Sequence, residues 1–468
     1  MTTLTELTGT ELIERFRSGE VSPTDAVRAA IQQADRTEPA INAVITRTDE
    51  LALAAAAESD RRYRDGTARP LEGVPIGIKD IIATAGVRTT AGSAIYRDWV
   101  PDYDATVTQR LRDAGAVIVA KHAPFPFALG SENNPHYGPT LNPWDTERTP
   151  GGSSSGSGAS VAARQVPISI GTDTGGSIRL PATWCGVSGL KPTWGRVPNR
   201  GVMPLAWSMD TVGPLARSVA DLALVLDVIA GHDPADASSS RHAKPDFRAE
   251  LDKGVAGLRI GLPENWFLEK CDPQIVAAVE DAAERFTEAG ATIVPVRFPH
   301  AELTQAIGWF TILGELASLH QITVDRLDEY DSGFAGHIVN GLFVSATDYL
   351  RCQRLRSLIQ ADYELAFREC DAILVPGNSS YAPKLADMMC QVGDTEYFWY
   401  EVAARCTFSF NITGLPTVAV PAGLGFKGLP LGIQIAAPPF REDLALRITH
   451  AYQQMTDHHR LAPPLVHG

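Results

Sequence analysis

A serine hydroxyl attacks a carbonyl only after something takes its proton, and a lysine can take it once burial has stripped the amine of its charge. Both residue types occur around one glycine- and serine-rich stretch, Gly151 to Pro181, read together with the upstream Lys79. The stretch runs GGSSSGSGASVAARQVPISIGTDTGGSIRLP, and its second serine cluster lies in Thr174-Gly175-Gly176-Ser177. Consecutive glycines before a serine let the backbone turn tightly and aim several N–H groups at one point. Such a nest suits an anion, or the oxyanion of an attacked carbonyl. A flexible linker shares this composition, but Val161-Ala162-Ala163 and Val166 to Ile170 interrupt the tract with a buried pattern. Lys79 closes an apolar run, Leu71 to Asp80, that reads as a buried strand with the lysine at its tip. There it either keeps its head in water or, enclosed, becomes a neutral amine able to accept a proton.

Other chemistries find less support. Gly152-Ser153-Ser154-Ser155-Gly156 matches the nucleophile-elbow pattern, yet the preceding NPWDTERTP is no strand. Ser188-Gly189-Leu190-Lys191 matches S-x-x-K without the companion S-D-N and K-T-G motifs. There is no H-E-x-x-H, Walker A loop or Rossmann fingerprint. The six cysteines are scattered with no C-x-x-C, and neither a metal nor a cofactor is expected. Of the eleven histidines, His122 and His136 fall in expected loops and others lie far along the chain from either serine cluster. A Ser-His-Asp triad stays open, because triads are recognised by geometry.

The elements that must position these residues alternate in type. Residues 4 to 36 read as two amphipathic helices, the second entered through Ser22-Pro23, and Thr48 to Tyr63 as an alanine-rich helix. Strands are expected at Asn42 to Thr46, Val117 to Lys121, Pro167 to Thr172, Leu258 to Leu262, Ala291 to Val296, Ala372 to Pro376, Pro416 to Pro421 and Leu431 to Ile435. Between them fall helices at Ala105 to Ala114, Ser157 to Arg164, Val219 to Ala230, Pro273 to Ala289, Ser345 to Phe367 and Leu444 to Met455. Such interleaving implies an α/β fold around a large mixed, mostly parallel sheet covered by helices on both faces.

A formal charge of −14 over 468 residues repels nucleic acid and anionic membrane, so neither is an expected partner. No apolar run approaches a membrane span, and MTTLTELTGTELIERF lacks the features of a signal peptide. A cytoplasmic location with reduced cysteines follows as the expectation.

The run from Gly151-Gly152-Ser153-Ser154 to Gly171-Thr172-Asp173-Thr174-Gly175-Gly176-Ser177-Ile178-Arg179-Leu180-Pro181 closely resembles the amidase signature family. Gly77-Ile78-Lys79-Asp80 is similar to its lysine motif, and Cys185 to Thr193, Asp210 to Leu215 and Asn411 to Pro416 extend the likeness. The resemblance implies a single domain, 1–468. It would comprise an N-terminal helical part (1–63), a motif-bearing catalytic core (64–230), a more variable part (231–390) and C-terminal strands and a helix completing the core (391–468). It implies a Ser-Ser-Lys triad: Ser177 the acylated nucleophile, Ser153 the proton relay held by a cis peptide from Gly152, and Lys79 the base. The N–H groups of Thr174, Gly175, Gly176 and Ser177 would form the oxyanion hole. Asp173 and Arg179 would fix the loop, and Ser154 and Ser155 would satisfy backbone groups nearby.

Leu129, Gly130 and Ser131 resemble the family loop lining the acyl side of the pocket. Trp207, within MPLAWSM, either joins that pocket or packs in the core. The expected activity is that of a stand-alone amidase hydrolysing a small-molecule amide, ester or carbamate through a serine acyl-enzyme, with a homodimer as the default assembly. One alternative is the glutamine-hydrolysing subunit of a transamidation complex. Thr323 to Tyr330 departs from the pattern of those subunits, while Arg356 is compatible with it. Another is a non-catalytic scaffold that retains the fold.

Overall fold

A computed structural model describes residues 3–466, without the side chains of residues 321–324, so the start of the Thr323 to Tyr330 segment lies outside the described residues. The first half of the chain supplies β1 (Val44–Arg47), β2 (Pro75–Lys79), β3 (Val117–His122), β4 (Ile168–Asp173), β5 (Ser188–Lys191) and β6 (Thr211–Ala216). The second half supplies β7 (Arg259–Pro263), β8 (Thr292–Val296), β9 (Ala372–Pro376), β10 (Met389–Val392), β11 (Thr395–Phe398), β12 (Thr417–Leu424) and β13 (Pro430–Ala436). β10 and β11 form a separate hairpin, and the other strands make one 11-stranded sheet in the order β1-β3-β2-β4-β6-β5-β12-β13-β9-β7-β8. Helices cover this large mixed sheet, giving the α/β architecture expected.

Parallel pairing is less prevalent than the alternation of elements suggests. Of the ten neighbour pairs in the large sheet, four are parallel: β2 with β3 and β4, and β7 with β8 and β9. β5, β6, β12 and β13 join these two parallel blocks by antiparallel pairing. β2, β4 and β6 are buried along their whole length, as strands covered on both faces must be. The edge strand β8 is half exposed and alternates less cleanly.

Local signals placed most helices within a few residues. Thr8 and Ser22 cap Gly9–Ser18 and Pro23–Ile41 by accepting the N–H groups of Glu11 and Asp25. Two long helices have no counterpart in the sequence reading, Thr304–His320 and Ser332–Leu342, and neither do the short Arg179–Trp184, Trp399–Ala403 and Phe408–Ile412. The first contains the run IGWFTILGELASL, so broadly apolar that it shows no clear period on one face. No helix among the described residues is long and apolar enough to cross a membrane.

Candidate active site

Lys79 ends β2, and the neighbouring parallel strand β4 ends in Thr172 and Asp173, with Ile78 in register with Ile170. The lysine is fully buried: its Nζ lies 2.9 Å from Ser153 Oγ and 2.8 Å from Thr172 Oγ1. Thus the amine turns inward instead of snorkelling. Burial pulls its pKa down to about 7, opposed by the charges of Asp173 and Asp210. Near neutral pH a large share of this amine is uncharged.

Ser153 sits just before the helix Ser155–Ala162, and its peptide bond from Gly152 is cis. A Cβ on Gly152 would fall 2.3 Å from the Phe125 ring, so only glycine fits there. Ser154 Oγ donates to Thr172 O and accepts from Thr172 N, and Ser155 Oγ donates to Ala123 O. These hydroxyls serve the backbone, as expected of them.

Ser177 shares a cleft with Ser153, and the loop from Thr174 that carries it is anchored from beneath by a buried ion pair. Asp173 takes both the Nε and Nη2 of Arg179 at 3.0 Å, with both side chains fully buried. It also accepts Gly176 N at 2.8 Å, Ile178 N at 3.1 Å and Asn411 Nδ2 at 2.7 Å. Burial raises the pKa of this carboxylate, but Arg179 and Asn411 outweigh it and hold the pKa far below the usual range. Among the described residues, the N–H groups of Thr174, Gly175 and Ser177 donate to no protein acceptor, while that of Gly176 is committed to Asp173. Three of the four expected oxyanion donors therefore remain free. Gly176 instead supplies the turn, at φ 129°, that lets the loop fold over the carboxylate.

The cleft has a volume of about 450 Å³, its open mouth included, and its wall is largely apolar. Phe125, Leu129, Leu180, Trp309, Trp399 and Phe408 contribute most of that wall, with no charged side chain and no histidine among the described lining residues. His122 is buried on β3 with Nδ1 2.8 Å from Ser169 Oγ, and burial pulls its pKa down to about 3. A histidine-based triad therefore has no member here.

Two pocket assignments need correction. Gly130 and Ser131 do not line the cleft, because the Asp331 carboxylate holds that loop from behind, accepting Ser131 N at 3.0 Å. Leu129 alone of the three reaches the cavity. Trp207 neither lines the cleft nor packs in the core: it is 45% exposed on a shallow surface hollow with Asn199 and Arg200. Its backbone carbonyl is the group in use, accepting Trp194 Nε1.

Sequence reasoning missed several participants. Thr172 is the second hydroxyl on the lysine, and Asp210 accepts Thr174 Oγ1 at 2.6 Å while binding the N–H groups of Leu205 and Ala206. Both lie inside motifs already singled out, so their polar type at a strand end was the available signal. Trp309, Trp399 and Phe408 come from distant parts of the chain and carried none. Glu132 stands beside the cleft wall, with burial pushing its pKa up to about 7. The Trp399 indole N–H beside it pulls the other way, favouring the carboxylate.

Residues 25–446 match the family model described as Amidase. A glutamyl-tRNA(Gln) amidotransferase subunit from Chloroflexus aggregans is 40% identical over 491 residues, covering 99% of each chain. Among solved structures, a chain from a vestigial protein complex bearing on the origins of an s-triazine catabolic enzyme is 37% identical. That match has a TM-score of 0.92 and covers 96% of this chain and 98% of the other. The native peptide amidase of Stenotrophomonas maltophilia is 32% identical with a TM-score of 0.84, covering 98% of each. On the family match and on full-length likeness to several of its members, the chain belongs to the amidase signature family.

Proposed function

We propose that the protein hydrolyses a C–N amide bond through an acyl-enzyme on Ser177, with Lys79 as the base and Ser153 as the relay. The observation that carries this reading is the buried Lys79 amine 2.9 Å from Ser153 Oγ, in a cleft shared with Ser177. The neutral amine draws the Ser153 proton as Ser153 takes that of Ser177, whose oxygen adds to the substrate carbonyl. Charge then develops on the carbonyl oxygen, where the N–H groups of Thr174, Gly175 and Ser177 stabilise it. The protons return by the same path to the leaving nitrogen, and water repeats the cycle on the ester.

The apolar wall favours an uncharged acyl group with aromatic or aliphatic character. Arylamides, primary amides, esters and carbamates fit such a cycle. Apolar amides are therefore the first substrates to assay, in the presence and absence of Ser177.

A second reading is favoured by the names of the curated relatives: a glutamine-hydrolysing subunit of a transamidation complex, working with a protein partner. It must accommodate the ammonium and carboxylate of glutamine in a cleft whose lining carries no charge. Arg356, the residue compatible with the pattern of those subunits, donates to the carbonyls of Ile412 and Ser208 and does not line the cleft. The deciding experiment assays aryl anilides, primary amides, esters, carbamates and L-glutamine side by side with the wild type and Ser177→Ala. A burst of leaving group from an apolar amide with no glutamine turnover supports the first reading. Glutamine turnover with none on apolar amides replaces it with the second. Failure of a sulfonyl fluoride to label Ser177 would leave only the scaffold.

A further inference from the structure

A second cleft lies at the far end of the helix Ser155–Ala162, whose near end carries Ser153; eight residues of helix separate the two by about 12 Å. It has a volume of about 1290 Å³ with its mouth included, and Arg164, Arg217, His450 and His459 are among its lining residues. We infer that this cleft binds a small multivalent anion of the phosphate or polycarboxylate class, clamped between Arg164 and Arg217.

The argument begins with charge. Arg164 and Arg217 are only 5% and 3% exposed, yet neither pairs with a carboxylate among the described residues. Arg164 Nη2 donates to the carbonyls of Arg460 and Leu461 at 3.3 and 3.1 Å, and its buried Nε has no partner. Arg217 donates to the carbonyls of Val166, Thr5 and Leu7. Carbonyls satisfy N–H groups but do not neutralise a guanidinium, and burial of an uncompensated cation is costly. The two guanidinium groups also repel each other, an effect that adds to burial in disfavouring the charge on Arg164.

The acids nearby are already committed. Glu6 and Glu11 line the cleft as well, beside Arg15 and Arg460, but accept the N–H groups of Thr3 and Thr8 as helix caps, and Asp221 accepts those of Gly9 and Thr10. Their fields reach the arginines without contact, Asp221 acting most strongly on Arg217. The Nδ1 atoms of His450 and His459 are also buried without partners, adding two polar groups to the same wall. Arg164 itself occupies the left-handed region at φ 63°, a position that usually favours glycine. A multivalent anion supplies what the two arginines lack: a carboxylate- or phosphate-type partner in contact, with several acceptors matched to the guanidinium fork. An acidic peptide from a partner would offer the charge, but the arginines are almost fully buried where they line the concavity, which favours a compact ligand.

The test is calorimetric titration of the full chain with sodium phosphate and with citrate, ionic strength being held constant with chloride. The wild type should bind one anion per chain saturably, the two arms separating phosphate from polycarboxylate. Arg164→Gly, which suits the backbone at that position, should weaken binding at least about tenfold and keep sulfonyl fluoride labelling of Ser177. Arg164→Lys, retaining the charge without the fork, should fall between. Absence of saturable binding by the wild type, unchanged affinity in Arg164→Gly, or binding of poly-glutamate alone would overturn the assignment.

Discussion

Replacing Lys79 by methionine should destroy activity while stabilising the protein, and both effects should depend on pH in a way fixed by the burial of one amine. Lys79 is fully enclosed, with its pKa brought from 10.5 to about 7. Between those values the unfolded chain binds a proton that the folded chain does not, so stability rises with pH across that window. The penalty is about 4 kcal/mol at pH 7 and about 2 kcal/mol at pH 9. Lys79→Met removes it, together with two hydrogen bonds worth about 1 kcal/mol each. Urea unfolding should therefore show the variant more stable than the wild type at pH 7, with the gap narrowing by about 2 kcal/mol at pH 9.

Catalysis should follow the neutral amine. Its fraction climbs from about 10% at pH 6 to about 90% at pH 8, a rise of roughly tenfold in kcat/KM, and Lys79→Met should lose on the order of 10²–10⁴-fold. Glu132 titrates near the same pH, its pKa pushed up to about 7, so Glu132→Gln is the control and must retain the rise. A wild-type profile that is flat from pH 6 to 9, a rise abolished by Glu132→Gln, or a constant stability gap would refute the assignment of a neutral Lys79 as base.

Three further outcomes follow from the same geometry. Ser177→Ala should lower turnover by at least about 10⁴-fold and abolish covalent labelling by a sulfonyl fluoride, read by intact mass. In Gly175→Ala the new Cβ would fall 2.2 Å from Phe408, displacing the loop and its N–H; kcat should fall on the order of 10²–10³-fold with the near-ultraviolet circular dichroism unchanged. Asp173→Asn leaves Arg179 buried and uncompensated and should cost about 3–5 kcal/mol in urea unfolding. The folded-state pKa of Asp173 lies below its ordinary 3.8, so the stability it confers is present above that value and is lost as pH falls below it. Acid unfolding of Asp173→Asn should accordingly be less steep than that of the wild type.

Much of this molecule was legible residue by residue. The caps at Thr8 and Ser22, the apolar run ending at Lys79 and the glycines around Ser177 are decided within a few residues by backbone geometry and hydrogen bonding. That is why element positions, and the residues able to do the chemistry, could be read in order along the chain. Solvation could not be read in that way. Whether Lys79 is a charged surface residue or a near-neutral base depends on Ser153 and Thr172, 74 and 93 positions away, closing around it.

The same distance hid the apolar wall formed by Trp309, Trp399 and Phe408, and it put Trp207 on the surface against the expectation raised by its neighbours. Gly176 shows the limit at its narrowest. Its type announced a tight turn, but only the folded chain, by bringing the Asp173 carboxylate beneath it, determined that its N–H serves the loop and is withheld from the substrate. Dielectric environment and free hydrogen-bonding capacity belong to a site assembled from remote segments, and no short stretch of sequence contains them.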